Sequence, residues 1–173
     1  MAKGLYFLHL QSIAHLDFKP ANILVGRRLM MKLIDFGESF CFRYHASKSN
    51  FSYTFPYTAP EIYFRNRNDS HDLEVRPAMD VYSLGVTLYE CFFGGFPWKE
   101  QIKLHKIRKT IKEIIPRILP ERMRDEGQSK VALMLLYVSL CCMSRNPERR
   151  PLMPWIITIL QECRLYLSEL NYY

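Results

Sequence analysis

The 173 residues suffice for one domain with a substantial core. A hydrophobic fraction of 49% against 24% charged residues excludes a disordered chain. The net charge of +7 favours acidic partners (phosphates, acidic peptides, nucleic acid or anionic lipid) without choosing among them. The longest apolar run, Val131 to Met143, is too short to span a bilayer. Cys41, Cys91, Cys141, Cys142 and Cys163 are odd in number and form no CxxC pair. That spacing suits neither a zinc cage nor a disulfide framework and points to a reducing, cytoplasmic setting.

In chain order, residues 2 to 14 read as a helix with Leu5 and Leu8 on one face, followed by a loop from His15 to Asn22. Ile23–Val25 and Lys32–Ile34 read as a small hairpin around Gly26-Arg27-Arg28. From Asp35 to Glu61 little periodicity is visible, and a loop of that length inside a domain is usually functional. A helix is predicted from about Ala78 to Phe93, with Val81, Leu84, Leu88 and Phe92 in one stripe and Tyr82, Val86, Tyr89 and Phe93 in a second. A helix apolar on so many sides belongs at the centre of a core, and Gly94-Gly95 ends it. Leu104, Ile107, Ile111 and Ile114 mark an amphipathic helix, and Val131, Leu135, Val138 and Cys142 another. Residues Pro116 to Ser129 read as a polar loop. The last helix is predicted from Pro151, with Ile156, Leu160, Cys163, Leu167 and Leu170 on one face. The whole is mainly α: helices around a buried central helix, with one small β-hairpin beside the loop.

The chemistry concentrates in His15-Leu16-Asp17-Phe18-Lys19-Pro20-Ala21-Asn22 and Asp35-Phe36-Gly37. Asp17, Lys19 and Asn22 share one tight loop, and Asp35 leaves a strand soon after. Two carboxylates, a carboxamide and an ammonium then suit a hard divalent cation and a polyanion, with one carboxylate left to accept a proton. Phosphoryl transfer needs that combination, because charge must be neutralised and a hydroxyl aligned.

These segments resemble the HRDLKPxNIL catalytic loop and the DFG element of eukaryotic protein kinases. Further matches follow in the family's order: Tyr57-Thr58-Ala59-Pro60-Glu61 is similar to the end of an activation segment, and Asp80-Val81-Tyr82-Ser83-Leu84-Gly85 to the start of the central helix. Gly95-Phe96-Pro97-Trp98 and Asn146-Pro147-Glu148-Arg149-Arg150-Pro151 resemble two later motifs. The resemblance covers essentially the whole chain and implies ATP and magnesium as cofactors and a protein or peptide substrate. It implies that Asp17 orients the acceptor hydroxyl, Lys19 touches the transferred phosphate, Asn22 and Asp35 hold magnesium, and Leu24 packs under the adenine. His15 and Phe36 would stack as structural residues, Asp80 would bond the catalytic-loop backbone, and Glu61 would pair with Arg150. Lys19 and Thr54 favour serine or threonine as acceptor. The loop is similar to that of Mos-type and tyrosine-kinase-like groups.

Three departures matter. Leu16 replaces the arginine that grips a phosphorylated activation loop, so phosphorylation at Ser47, Ser49 or Ser52 is expected to gain little by that route. Tyr53 takes the place of a glycine, and Asn66 to Glu74 form a polar insert. No glycine-rich loop or VAIK-type lysine precedes Met1. Residues 1–173 are therefore expected to be a C-terminal lobe only, truncated at its N-terminus, with the N-terminal β-rich lobe absent and the chain alone inactive. The alternatives are a pseudokinase-like interaction module and a small-molecule phosphotransferase; Ala59-Pro60-Glu61, Asp80 and Arg150 argue against the latter. Lys99, Lys103, Lys106, Arg108, Lys109 and Lys112 form the basic face of residues 99–112, a solvated surface or a dock for an acidic partner. Nothing beside this charge supplies a stacking platform for nucleic acid.

Overall fold

The computed structural model describes residues 1–44, 47–52, 54–64, 73–96 and 126–170. Its centre is the helix Pro77–Phe93. Pro77 occupies the first turn, where a missing N–H breaks no helical bond. The helix stops at Gly94, which takes the left-handed φ of 72° and donates its N–H to the Glu90 carbonyl at 2.9 Å. Between these ends every residue from Met79 to Tyr89 except Tyr82 is buried.

Among the described residues, four other helices surround or adjoin it. They are α1 (Ala2–Leu10), the short α2 (Pro60–Tyr63), α4 (Glu126–Cys142) and α5 (Met153–Leu170), the central helix being α3. Val81, Leu84 and Leu88 of α3 pack with Leu5 of α1, Phe18 of the loop, Val138 and Cys142 of α4, and Met153 and Ile156 of α5. On another side, Val86 and Tyr89 meet Leu136, Leu140 and Met143. Phe92 is exposed and does not extend the first stripe. Glycine at position 85 lets α3 and α4 approach closely: a Cβ there would stand 2.6 Å from Cys142 Cβ and 2.8 Å from the Ser139 carbonyl oxygen. Among the described residues no helix is long and apolar enough to cross a membrane.

Among the described residues the strands are short and pair in three antiparallel two-stranded sheets. β1 (Ile13–Ala14) pairs with β4 (Phe40–Cys41), β2 (Ile23–Val25) with β3 (Met31–Leu33), and β5 (Ser47–Lys48) with β6 (Leu73–Glu74). This corrects the expectation of helices with a single hairpin. Helix α1 stops at Leu10, not residue 14, because Ser12 turns into the left-handed region (φ 61°) and Ile13–Ala14 leave extended. The Ser12 carbonyl then accepts from Phe42 N–H at 2.9 Å. The second arm of the hairpin lies one residue earlier than expected, because the connection is a 3₁₀ turn, Arg27–Leu29, with Arg28 at φ 57°. Helix α4 reaches back to Glu126, into the stretch read as loop, and α5 starts at Met153 instead of Pro151. The basic stretch 99–112, Pro97-Trp98, Tyr53 and most of the polar insert lie outside the described residues.

Candidate active site

The loop between β1 and the 3₁₀ turn Pro20–Asn22 is fixed from below by α3. Asp80, fully buried, accepts the backbone N–H of His15 at 2.7 Å and of Leu16 at 2.8 Å, and His9 Nε2–H donates to the same carboxylate at 2.9 Å. Leu16 is held at φ 64°, a conformation costing a branched residue roughly 1–2 kcal/mol. Two charge-assisted bonds to one buried carboxylate offset that cost. The Leu16 side chain meanwhile enters an apolar socket with Ala14, Ala59, Ile62, Val75 and Met79.

His15 is fully buried and committed on both ring nitrogens. Nε2–H donates to the Ile34 carbonyl at 3.1 Å, and Nδ1 accepts from Asp17 N–H at 3.3 Å. These contacts specify the neutral Nε2–H tautomer and leave neither nitrogen free to serve as a base. The ring lies against Phe36, with centroids 5.2 Å apart, and edge-on to Phe18.

Asp17 gathers the polar groups. Its Oδ2 accepts from Lys19 Nζ at 2.7 Å and from Asn22 Nδ2 at 2.9 Å, and its Oδ1 accepts from Thr54 Oγ1 at 2.7 Å. Lys19 Nζ also donates to Thr54 Oγ1 at 3.1 Å, and Asn22 Nδ2 to the Asp17 carbonyl at 2.8 Å. A carboxylate, an ammonium, a carboxamide and a hydroxyl thus share one point. Asp35 joins through the backbone: Ile34 N–H donates to the Asn22 carbonyl at 3.0 Å, which sets the next residue beside the loop. Asp35 is exposed, at φ 60°, and accepts from Gly37 N–H at 3.3 Å. Leu24 lies exposed on β2 opposite Lys32. Of the residues named from the sequence, Lys19, Asn22 and Thr54 each bond Asp17 and Lys19 also bonds Thr54, whereas Asp35 and Leu24 flank them.

The donor set fits magnesium with phosphates. With its amide nitrogen engaged by Asp17, Asn22 would meet a cation through its oxygen, and Asp35 would supply a carboxylate. Among the described residues no group of three or more His, Cys, Asp or Glu forms a cage. Magnesium does not need one, since it keeps water and takes one or two protein oxygens plus substrate phosphates.

Below the loop, Glu61 and Arg150 meet in two parallel bonds, each 2.6 Å, across 89 residues of sequence. Arg150 is buried, and it also donates to the carbonyls of Ala78 at 2.8 Å and Ser144 at 2.9 Å and lies over the Tyr82 ring. Nearby, Tyr57 O–H donates to Glu90 at 2.6 Å, and Ser83 Oγ–H donates to the Tyr57 carbonyl at 2.9 Å. Burial and the adjoining Glu90 carboxylate push the Tyr57 phenol well above its ordinary range.

Sequence reasoning missed His9 and Glu38. His9 did carry a signal: it follows the fully buried Leu5 by one helical turn, so a polar side chain there points inward and needs a partner. Glu38 carried none, because its partners lie 10 and 14 residues away in a stretch without periodicity.

A family model described as the protein kinase domain matches residues 1–161. The chain is similar to a mitogen-activated protein kinase kinase of Aspergillus fumigatus, 32% identical over 88% of this chain and 30% of the relative. It is similar to an Aurora kinase of Eremothecium gossypii, 32% identical over 79% of this chain and 35% of that protein. A dual specificity protein kinase TTK of Mus musculus is 32% identical over 91% of this chain and 18% of its own length. The chain thus spans 35% or less of these relatives. The match to the kinase-domain model begins at residue 1 and runs to 161, which overturns the expectation of a C-terminal lobe alone with the N-terminal lobe absent. That expectation inferred a missing fold element from missing motifs. From the loop at Asp17 to the pair at Arg150, and by this match, the chain belongs to the protein kinase domain family.

Proposed function

We propose that residues 1–173 act within one protein kinase domain that transfers the γ-phosphoryl group of ATP, with magnesium, to serine or threonine hydroxyls of proteins. The observation that carries this reading is the convergence of Asp17, Lys19, Asn22 and Thr54. An acceptor hydroxyl entering beside Asp17 would donate to its carboxylate as Thr54 now does, and its oxygen would thereby be aligned for attack. Lys19, already next to that carboxylate, would offset charge on the transferred phosphoryl group. Asn22 and Asp35 would hold the magnesium, which would supply positive charge to neutralise the phosphates. Leu24, an exposed apolar side chain on β2, would pack against the adenine. Lys19 and Thr54 support serine or threonine as acceptor over tyrosine. Five cysteines, all present as free thiols, support a cytoplasmic setting.

The test is phosphate transfer from magnesium-ATP to matched serine, threonine and tyrosine peptides by the parent chain, Asp17→Asn and Asp35→Asn. Asp17→Asn is expected to lower transfer by about 10²–10⁴-fold. Asp35→Asn is expected to raise the magnesium concentration needed for half-maximal transfer. Transfer by Asp17→Asn at the parent rate would overturn the reading, and equal rates on the tyrosine peptide would overturn the acceptor preference.

A further inference from the structure

We propose that Leu73 and Val75 are positioning residues for phosphoryl transfer: with strand β6 they clamp both sides of the contact between Thr54 and Asp17 onto the start of α3. The inference rests on the reading of Asp17 and Thr54 given above. One apolar socket, formed by Ala14, Leu16, Ala59, Ile62, Val75 and Met79, reaches both sides of that contact. Leu16 directly precedes Asp17, and Phe51, which packs against the socket, comes shortly before Thr54. Val75 is buried, Leu73 is partly buried against the same socket, and Glu74 between them is exposed, the alternation of an extended chain. Main-chain pairing adds a second tie. Ser47 lies opposite Glu74 and Lys48 opposite Leu73, so β6 also holds the segment that runs on to Phe51 and Thr54. Helix α3 opens at Pro77, just after Val75, and its Asp80 holds the His15 and Leu16 amides. Both sides of the site thus rest on one rigid base.

The backbone at Leu16 shows why the clamp matters. Its φ of 64° is one that a branched residue leaves unless its surroundings hold it there. Asp80 restrains the amide and the socket restrains the side chain. Thinning the socket removes one of these two restraints, and a rotation at Leu16 carries Asp17 with it. Hydrocarbon at position 16 also means that this residue cannot hold the segment by charge. Lys48, on the segment itself, is committed to Glu38, donating to its backbone carbonyl at 3.0 Å and to Oε2 at 3.1 Å. The hold of the socket on Phe51 and of β6 on β5 is therefore made of apolar contact and backbone pairing.

The experiment compares two equal truncations, Val75→Ala in the socket and Val131→Ala between α4 and α5, where Val131 is also buried and packs with Leu135 and Cys163. Leu73→Ala and Leu73→Met complete the set. Leu73 is only partly buried, so Leu73→Ala reads the clamp even if Val75→Ala does not fold. kcat and KM for transfer from magnesium-ATP to a peptide are measured well below each unfolding midpoint, and deuterium exchange over residues 47–52 is followed on the same samples. Both valine variants are expected to unfold at lower denaturant than the parent. Val75→Ala and Leu73→Ala are expected to lower kcat about tenfold or more. Their KM for ATP is expected to stay near the parent value, because Leu24 and Asp35 lie outside the socket. Exchange over residues 47–52 is expected to quicken about tenfold in the same two variants. Leu73→Met conserves volume and is expected to keep both readouts near the parent, and Val131→Ala to keep the parent kcat and the parent exchange. Parent kcat in Val75→Ala and Leu73→Ala, or an equal loss in Val131→Ala, would overturn the clamp and leave the phosphoryl-transfer reading untouched. If exchange follows the expected order while neither parent nor variants transfer phosphate, the clamp stands and that reading fails.

Discussion

Arg150 shows how much one side chain can organise. It makes a bidentate pair with Glu61, donates to two backbone carbonyls, and lies across Tyr82. Removing it strands the Glu61 carboxylate in a mostly buried site and takes one donor from each of two carbonyls, a loss of roughly 3–5 kcal/mol. Arg149, exposed and adjacent, is the natural control. Denaturant unfolding is expected to show Arg150→Ala far below the parent, Glu61→Ala as low as Arg150→Ala, Arg149→Ala near the parent, and the Glu61/Arg150 double variant losing much less than the sum. Similar small losses for both arginines would remove the pair from any structural role. This contact was legible in the sequence because both residues sit in motifs whose spatial relation the kinase resemblance supplies. Leu16 was legible only as a departure. That it is a buried anchor in an unusual backbone conformation depends on Ala59, Ile62 and Val75, whose proximity nothing in the local sequence announces.

Among the elements, helices were read well and strands poorly, for a physical reason. A helix of 17 residues such as α3 repeats its apolar positions over several turns, so its period and its central place can be read. A strand of two residues, such as β1, β4, β5 or β6, contains no repeat at all, and its existence is decided by a partner distant in sequence. The contact between α3 and α4 was likewise hidden: Gly85 looked like part of a motif, whereas it also marks where two backbones come together. Alanine at an unremarkable helical position would be favoured over glycine by up to about 1 kcal/mol. At position 85 its methyl group would collide with Cys142 and with the Ser139 carbonyl, which cannot swing aside. Gly85→Ala is therefore expected to destabilise the chain, by about 1–3 kcal/mol in urea unfolding. Stabilisation by this substitution would show that the helices are not in close contact there.

At the scale of the molecule, the order of motifs along the chain was the most readable feature, because each motif names its neighbours in the family's arrangement. The extent of the domain was not readable in the same way. The lack of a glycine-rich loop was taken for the lack of a lobe, and the match over residues 1–161 corrects it. The site lies where elements distant in sequence meet: a loop after α1, the hairpin β2–β3, and the segment ending at Thr54 are gathered over the N-terminal end of α3. Asp80 makes that gathering rigid, and this has a consequence for how the chain breathes. Loop amides ordinarily trade their hydrogens with solvent through small local openings. Those of His15 and Leu16 are bonded to a carboxylate that belongs to the innermost helix, so releasing them requires the core itself to open. In native-state deuterium exchange these two amides are expected to be as slow as the interior of α3, while the hairpin turn at Arg27–Leu29 exchanges orders of magnitude faster. Exchange of His15 and Leu16 at the rate of that turn would show the loop at Asp17 to be locally mobile. The slow outcome would mean that the loop melts only with the core, and that any substitution weakening α3 shortens the lifetime of the assembled site in the same proportion.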